Sequence, residues 1–345
     1  MKKLKAAVIG LTVGERHIVD YLKNPSIYEI IICDINEEKL NKIGDLYSIK
    51  GRYTDYNLMF KEEKPDIVSV CVSNFLHKQV CIDAFSAGAH VLCEKPLART
   101  AKEGEEIQKA AEFYNKKLMV NFNRRYNPES VALKKAIDEG VLGEIYYATT
   151  CWKRTRNVPW WYPLNDTKEK CGGGAFIDLG VHMLDLCMWL CGYPEPDKVL
   201  GKVYQKVSLD EAKKRGFEKF DAEDMGVAMI AMKNGMTMNA EISWASNREE
   251  MDDYVEVRLY GTKGGAVINE KGYIYDTGLL IADKDGVPIT MPLELKDQGE
   301  TVRDAFVSAV INETEVPCTP KQAITISKII DGVYASSKQD DAIKL

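Results

Sequence analysis

Over residues 1–120 the chain alternates short apolar runs, rich in β-branched residues, with longer amphipathic stretches. The runs are Leu4–Ile9, Tyr28–Cys33, Ile67–Val72, His90–Cys93 and Leu118–Val120. That alternation predicts βαβ units with right-handed crossovers, an α/β doubly wound parallel sheet whose ligand crevice opens at the strands' carboxyl ends. Between the runs, Leu76, Val80, Ala84 and Ala87 form a stripe at helical spacing, with Gly88 where a C-terminal cap belongs. Ile107, Ala110, Ala111 and Tyr114 form another, entered through Thr100-Ala101-Lys102-Glu103, which reads as a capping box.

Beyond Asn127-Pro128 the pattern changes. A helical segment near Val131–Glu139 ends at Gly140, and from Glu144 onward the runs alternate with period two. Met225–Met232 and Met236–Trp244 flank Asn234-Gly235, which predicts a tight hairpin, and Tyr254–Tyr260 predicts a further strand. The second part is therefore read as an α+β domain built on a mainly antiparallel sheet, closed by a helix over about Lys321–Ser337 that packs on either domain. The division expected is 1–123 and 124–345.

Composition narrows the class. The 345 residues suit two domains, and 45% hydrophobic with 28% charged residues is ordinary globular usage. Lys plus Arg number 46 against 52 Asp plus Glu, a net charge of −6 without long blocks of one sign, which argues against nucleic acid as a partner. No apolar stretch reaches the roughly 18 residues of a bilayer span. The opening MKKLKAAVIG stops at Gly14-Glu15-Arg16 without a cleavage site, so it is read as a first strand of a cytoplasmic protein, not a signal. Nine scattered cysteines without a CxxC pair suggest neither a disulfide framework nor a metal site.

The first strand runs into Gly10-Leu11-Thr12-Val13-Gly14, then a helix through Ile18, Tyr21 and Leu22, then a second strand ending at Asp34, 20 residues past Gly14. This order handles a dinucleotide: glycines admit a pyrophosphate to the helix N-terminus, and the acid binds the adenosine ribose hydroxyls. A carboxylate there repels a 2′-phosphate, so NAD is expected rather than NADP. The turn is one residue short of GxGxxG. A bare Gly-x-x-x-Gly is often only a tight connection, and Asp34 alone reads equally as a cap for the segment 36–47.

Context decides between these. Cys93-Glu94-Lys95-Pro96 after an apolar strand resembles the signature of the Gfo/Idh/MocA oxidoreductases. Ser73-Asn74-Phe75-Leu76-His77 is similar to that family's loop after the fourth strand, Asn123-Arg124-Arg125-Tyr126-Asn127-Pro128 to its domain crossover, and Gly172-Gly173-Gly174 through His182 to its second-domain active-site helix. Gly261-Thr262-Lys263-Gly264-Gly265 fits as well. The resemblance spans essentially the whole chain. It implies an N-terminal Rossmann domain, a C-terminal domain with an open sheet that mediates a homodimer or homotetramer, and NAD(P)-dependent chemistry on sugars, cyclic polyols and related alcohols. It also implies cofactor contacts from Ser73, Asn74, His77, Glu94, Lys95 and Arg124.

Oxidising a secondary alcohol requires a hydride acceptor, a base for the hydroxyl proton and a group that steadies charge on oxygen. His182 suits the base. Asp178, four residues earlier, shares its face if the segment is one helix, and Asp185 continues that face. On spacing alone Asp178 and His182 are as readily a surface helix pair; the resemblance carries the family's catalytic Asp and His onto them. Lys95, at the end of the fifth strand, is read as polarising the reacting oxygen, and Arg124 and Trp161 as touching substrate. Lys153, Arg154 and Arg156 are placed in the same loop as Trp160-Trp161-Tyr162. Lys95, Asp178 and His182 are expected to form one site between the domains. Rival readings are NAD-assisted glycoside cleavage or epimerisation with transient oxidation, and a non-catalytic dinucleotide sensor.

Overall fold

The computed structural model describes residues 3–160, 167–248, 253–271, 274–284, 287–293, 295 and 299–345. It divides into two compact units, Met1–Asn123 with Glu300–Ile324, and Arg124–Gly299 with Thr325–Leu345. A single division at 123/124 therefore does not describe it: the chain returns to the first unit near 300 and leaves it again at 324.

In the first unit the order is β1 (Leu4–Ile9), α1 (Leu11–Lys23), β2 (Ile27–Cys33), α2 (Glu37–Leu46), β3 (Gly51–Tyr53), α3 (Tyr56–Glu63), β4 (Ile67–Val70), α4 (Asn74–Ser86), β5 (His90–Cys93), α5 (Ala101–Phe113) and β6 (Leu118–Val120). The strands form a parallel sheet in the order β3-β2-β1-β4-β5-β6. All four residues of β4 are buried, as they must be in a sheet covered on both faces, and that is why these strands read as continuous apolar runs. The reversal of strand order at β1/β4 marks the topological switch point.

The helices differ in detail from the expected stripes. On α4 the buried face is Asn74, His77, Val80, Cys81, Ala84 and Phe85, while Leu76 is exposed, so the stripe is rotated towards the polar residues at the helix start. Gly88 takes φ +94, as a C-terminal cap requires. The Thr100 side chain accepts from Glu103 N–H (3.2 Å), but the Glu103 carboxylate turns to Arg99 instead of completing the box.

The second unit follows: α6 (Pro128–Asp138), β7 (Ile145–Lys153), α7 (Thr167–Cys171), α8 (Ala175–Asp178), α9 (Gly180–Leu190), β8 (Pro196–Tyr204), α10 (Leu209–Lys214), β9 (Met225–Met232), β10 (Thr237–Ser243), β11 (Tyr254–Gly261), β12 (Gly264–Lys271), β13 (Ile274–Lys284) and β14 (Val287–Pro292). Next come α11 (Val302–Ile311), in the first unit, α12 (Pro320–Gln339), inside which the division falls, and β15 (Ile343–Lys344). The second sheet runs β14-β13-β12-β11-β7-β10-β9-β8-β15, antiparallel throughout except for β7 beside β10. The β9/β10 hairpin turns at Asn234-Gly235, with Gly235 at φ +90 and Asn234 Oδ1 accepting from Met236 N–H (3.1 Å).

Alternation decides which face is core. Val255, Val257 and Leu259 of β11, Met238, Ala240 and Ile242 of β10, and Ala148 and Thr150 of β7 are buried on the side where α9 packs. Burying each of the large apolar residues of α9 and its strands contributes about 1.5–3 kcal/mol. No single described helix is long and apolar enough to cross a membrane.

Candidate active site

The parallel strands of the first unit deliver their carboxyl ends side by side. Backbone ladders run on past the strands, Gly10 N–H to Cys33 O (2.9 Å), Cys71 N–H to Ile9 O (2.8 Å), Glu94 N–H to Val70 O (2.9 Å) and Asn121 N–H to Cys93 O (2.8 Å). Gly10, Cys71, Glu94 and Asn121 therefore stand in a row at the switch-point end.

Gly10 is the whole of the turn. Helix α1 begins at Leu11, so Leu11, Thr12, Val13 and Gly14 form its first turn and not a loop. Gly10 sits at φ +90, and a Cβ on it would lie 2.4 Å from Cys71 O; a Cβ on Gly14 would lie 2.6 Å from Val8 Cγ1. Both positions exclude a side chain, one through backbone conformation and one through helix–strand packing. The N-cap residue Gly10 offers no side chain and the first turn of α1 holds no acid; Asp34 takes the first amide, Leu11 N–H, and the amides after it face the helix N-terminus, where an anion binds. Asp34 accepts from Leu11 N–H (2.8 Å) through one oxygen and from Asn36 N–H (2.9 Å) through the other, tying β2 to the start of α1; Asn36, not Asp34, caps α2. Lys39 Nζ donates to Thr12 Oγ1 (2.7 Å). These residues fit a dinucleotide: a bare glycine, a helix N-terminus and an acid at the end of β2.

Ser73 stands at the N-cap of α4, and Asn74 is buried in its first turn. His77, expected at the cofactor, has its ring nitrogens 2.9 Å from Pro96 O and 3.0 Å from Val72 O; burial lowers its pKa, and the neutral ring donates to one of these carbonyls. It staples the loop after β4 to the loop after β5. Glu94 is 8% exposed and accepts from His17 Nε2 (2.9 Å), from the Asn121 amide and from Lys95 N–H (3.2 Å). Burial alone would push its carboxyl up; the hydrogen bond and charge of His17, the charge of Lys95 and the Asn121 amide outweigh it and bring the pKa down to about 2. Lys95 itself is half-buried, and its peptide bond to Pro96 is cis. The donor atoms of His17, Cys71 and Glu94 lie within 4.8 Å of one another, but His17 Nε2 and Glu94 Oε1 are engaged with each other.

In the second unit Asp178 and His182 do not share one straight helix. α8 ends at Asp178, Leu179 breaks it, and the chain bends by 49° into α9. His182 N–H donates to Leu179 O (3.1 Å), so the two side chains flank the break. Asp178 Oδ2 accepts from the indole of the fully buried Trp244 (2.9 Å). The His182 ring lies 5.9 Å from that of Trp152, with Arg124 Cζ 4.2 Å and Arg154 Cζ 5.0 Å from the same indole. Asp185 is removed from this group: buried, it forms a two-pronged ion pair with Arg125 (2.9 and 2.5 Å) and accepts from Tyr193.

What fixes α8 is Glu223, 3% exposed. Its carboxylate accepts from Gly174 N–H (2.8 Å), Phe176 N–H (2.9 Å) and the Tyr334 hydroxyl (2.9 Å), while its carbonyl accepts from Ala175 N–H (3.0 Å). Three consecutive amides at the helix start are thus satisfied by one residue. Burial raises the Glu223 pKa, against the pull of these donors. The glycines before the helix are required by this packing: a Cβ on Gly173 would lie 2.1 Å from Tyr334 Oη, and one on Gly174 2.2 Å from Glu223 O.

Of the cations expected in one loop, Lys153 belongs to β7, while Arg154 and Arg156 lie beyond it, outside the named strands. Lys153 ends β7 and pairs with Glu241 (3.5 Å), Arg154 pairs with Asp253 (3.0 Å), and Arg156 donates to the carbonyls of Thr155 and Ser246. Trp160 stacks on Phe217 (5.8 Å, 26°) under Arg215. Trp161 and Tyr162 lie outside the described residues. Sequence reasoning missed His17, Asn121, Trp152, Glu223, Trp244 and Tyr334. Period-two alternation in β7 and β10 was the one available signal, since it puts Trp152 and Trp244 on the helix-bearing face.

Comparison with known proteins gives the same frame. Over 351 aligned residues the chain is 29% identical to D-glucoside 3-dehydrogenase of Escherichia coli K12, covering 99% of this chain and 97% of that one. It is 32% identical over 191 residues to inositol 2-dehydrogenase of Salmonella typhimurium, covering 54% of each. The solved structure of levoglucosan dehydrogenase in complex with NADH and L-sorbose superposes with a TM-score of 0.85 at 21% identity, over 100% of this chain and 99% of that one. Residues 4–122 match the oxidoreductase family's NAD-binding Rossmann fold and residues 134–345 its C-terminal alpha/beta domain, so the chain belongs to the Gfo/Idh/MocA oxidoreductase family.

Proposed function

We propose that the protein is an NAD-dependent dehydrogenase acting on a ring hydroxyl of a sugar or cyclic polyol. One observation carries the reading: Asp178, held by Trp244, and His182 flank a break in a glycine-launched helix anchored by Glu223. A carboxylate locked by an indole and an imidazole at a helix break suit an alcohol better than a purely structural role. The likeness to D-glucoside 3-dehydrogenase over nearly the whole chain supports the substrate class.

In this mechanism Gly10, the first amides of α1 and Asp34 hold the dinucleotide, and Asp34 disfavours a 2′-phosphate. The dinucleotide, when bound, supplies the hydride acceptor. Lys95 donates a hydrogen bond to the reacting oxygen and steadies its negative charge. His182 takes the hydroxyl proton on a ring nitrogen, imidazole being the side-chain type whose ordinary titration range lies nearest neutral pH. Asp178 binds a neighbouring hydroxyl or orients that imidazole, and Arg124, held over Trp152, lines the substrate side.

We read the protein as a homodimer or homotetramer in a reducing, cytoplasmic setting. Exposed Leu200 and Met229 are paired across β8 and β9, and Tyr204 and Tyr260 stand on the same uncovered sheet face. All nine cysteines are free thiols. The test of function is a panel of glucosides, anhydrosugars, aldoses and inositols with NAD and with NADP, followed by absorbance of the reduced nicotinamide. Turnover with NAD is expected for at least one ring alcohol, and a His182→Ala variant should lose on the order of 10²–10⁴ in kcat. Product without accumulating NADH would indicate transient oxidation instead. NADP serving as well as NAD would overturn the role given to Asp34, and a fully active His182→Ala would overturn the base.

A further inference from the structure

The first unit holds a buried chain of polar side chains that no step above uses. Tyr21 Oη lies 2.7 Å from Ser69 Oγ, Ser69 Oγ 2.9 Å from His17 Nδ1, and His17 Nε2 2.9 Å from Glu94 Oε1. Tyr21, Ser69 and His17 are each at most 1% exposed. The same Glu94 oxygen takes the Asn121 amide, whose carbonyl oxygen accepts from Arg303 (3.2 Å), and Arg303 is itself paired with Asp20. The other Glu94 oxygen accepts the main-chain N–H of Lys95.

Proton bookkeeping gives the chain a direction. An ionised carboxylate only accepts, so His17 must present Nε2–H to Glu94. Nε2–H donates to Glu94 whether or not the ring is charged; where Nδ1 carries no proton, it takes the Ser69 hydroxyl proton and Ser69 Oγ accepts from Tyr21. Burial raises the Tyr21 pKa, so its phenol keeps the proton it must donate. The hydrogens of Tyr21, Ser69 and His17 Nε2 each have an acceptor in this order, and the order ends at the residue beside Lys95. A buried network satisfied this completely is rigid, and its cost of disruption is high.

We propose that His17 is a positioning residue for Lys95, acting through the Glu94 carboxylate to fix the main chain and charge environment from which the ammonium projects. The proposal rests on the role given above to Lys95, and His17 touches neither substrate nor reacting atoms in it. The charged and titratable groups around the pair, among the described residues, include Tyr21, Lys95, Cys71, Arg303 and Asp20.

The test reads Lys95 directly, without substrate. Acetylation of Lys95 by acetic anhydride, quantified by mass spectrometry across pH 6–10 in the cofactor-free protein, is compared between wild type, His17→Leu, His17→Gln and Glu94→Gln. His17→Leu and Glu94→Gln should each change the Lys95 rate at least about threefold, and Glu94→Gln, which removes the carboxylate that favours the neighbouring ammonium, should also move the pH profile to lower pH. His17→Gln, whose amide can still donate to Glu94, should restore most of the wild-type profile. On a sugar that turns over, His17→Leu should lower kcat on the order of 10- to 100-fold, with the Kd for NAD within about threefold. Should His17→Leu not fold, judged by circular dichroism, His17→Asn, whose shorter amide does not reach Glu94, takes its place. Unchanged Lys95 labelling in a folded His17→Leu or His17→Asn protein overturns the proposal. A Lys95→Ala enzyme that keeps full turnover instead overturns the catalytic role of Lys95 and leaves the labelling result standing.

Discussion

Glu94 shows how a single residue ties chemistry to stability. Its carboxyl falls from 4.5 to about 2 on folding, so its ionised form is stabilised by about 3 kcal/mol in the native state. A depressed carboxylate contributes fully above its ordinary value, and that contribution is lost as pH falls from about 5 towards 2. Urea unfolding at pH 7 and pH 3 should show wild type losing more stability than Glu94→Gln over that interval; equal slopes would refute the linkage. Glu223 is the counterpart in the second unit. Its three acceptor bonds need both carboxylate oxygens, so Glu223→Gln turns a donor towards a backbone N–H and should destabilise by about 1–3 kcal/mol while lowering kcat. Tyr334→Phe, which removes one bond of the three, should cost about 1 kcal/mol, measurable by chemical denaturation.

At the scale of elements, the glycines divide into those that permit a turn and those that permit packing. Gly10→Ala meets both obstacles, positive φ and a main-chain oxygen, and should abolish measurable NAD binding by calorimetry while costing at least about 1–2 kcal/mol. Normal NAD affinity in a folded Gly10→Ala protein would contradict the assignment of the turn. The strands of the parallel sheet were legible because doubly covered strands are apolar at every position, as Ile67–Val70 are. β3 was not, being three half-buried residues. The break at Leu179 was hidden for a different reason: Ile177, Val181, Leu184 and Met188 are all buried, so the apolar stripe runs through the break without interruption. Lys95, Asp178 and His182 stood inside short recognisable motifs. Their other supports did not: His17 stands 77 positions from Glu94 and meets it only through the sheet.

For the whole molecule, the decisive feature is the return of Glu300–Ile324 to the first unit. Arg303 on α11 pairs with Asp20 on α1 (2.7 Å), Asn24 donates to Asp304 (2.7 Å), and Val120 N–H donates to Cys318 O (3.1 Å). A fragment of residues 1–123 lacks all of these partners. It should therefore unfold with lower cooperativity and bind NAD more weakly than the full chain, as read by thermal melting and calorimetry; a fragment with full-length stability would show that α11 is dispensable. Nothing in residues 1–123 announces this dependence, since Asp20, Asn24 and Val120 look like ordinary surface and edge positions until their distant partners are in place. The same return sets a schedule for synthesis. Chain emerging from a ribosome at roughly 5–20 residues per second needs about 10–40 seconds to pass from the end of β6 to residue 324. Throughout that interval the nascent dinucleotide-binding half is present but unfinished, so the stretch of translation most exposed to chaperones and proteases is the one that follows β6.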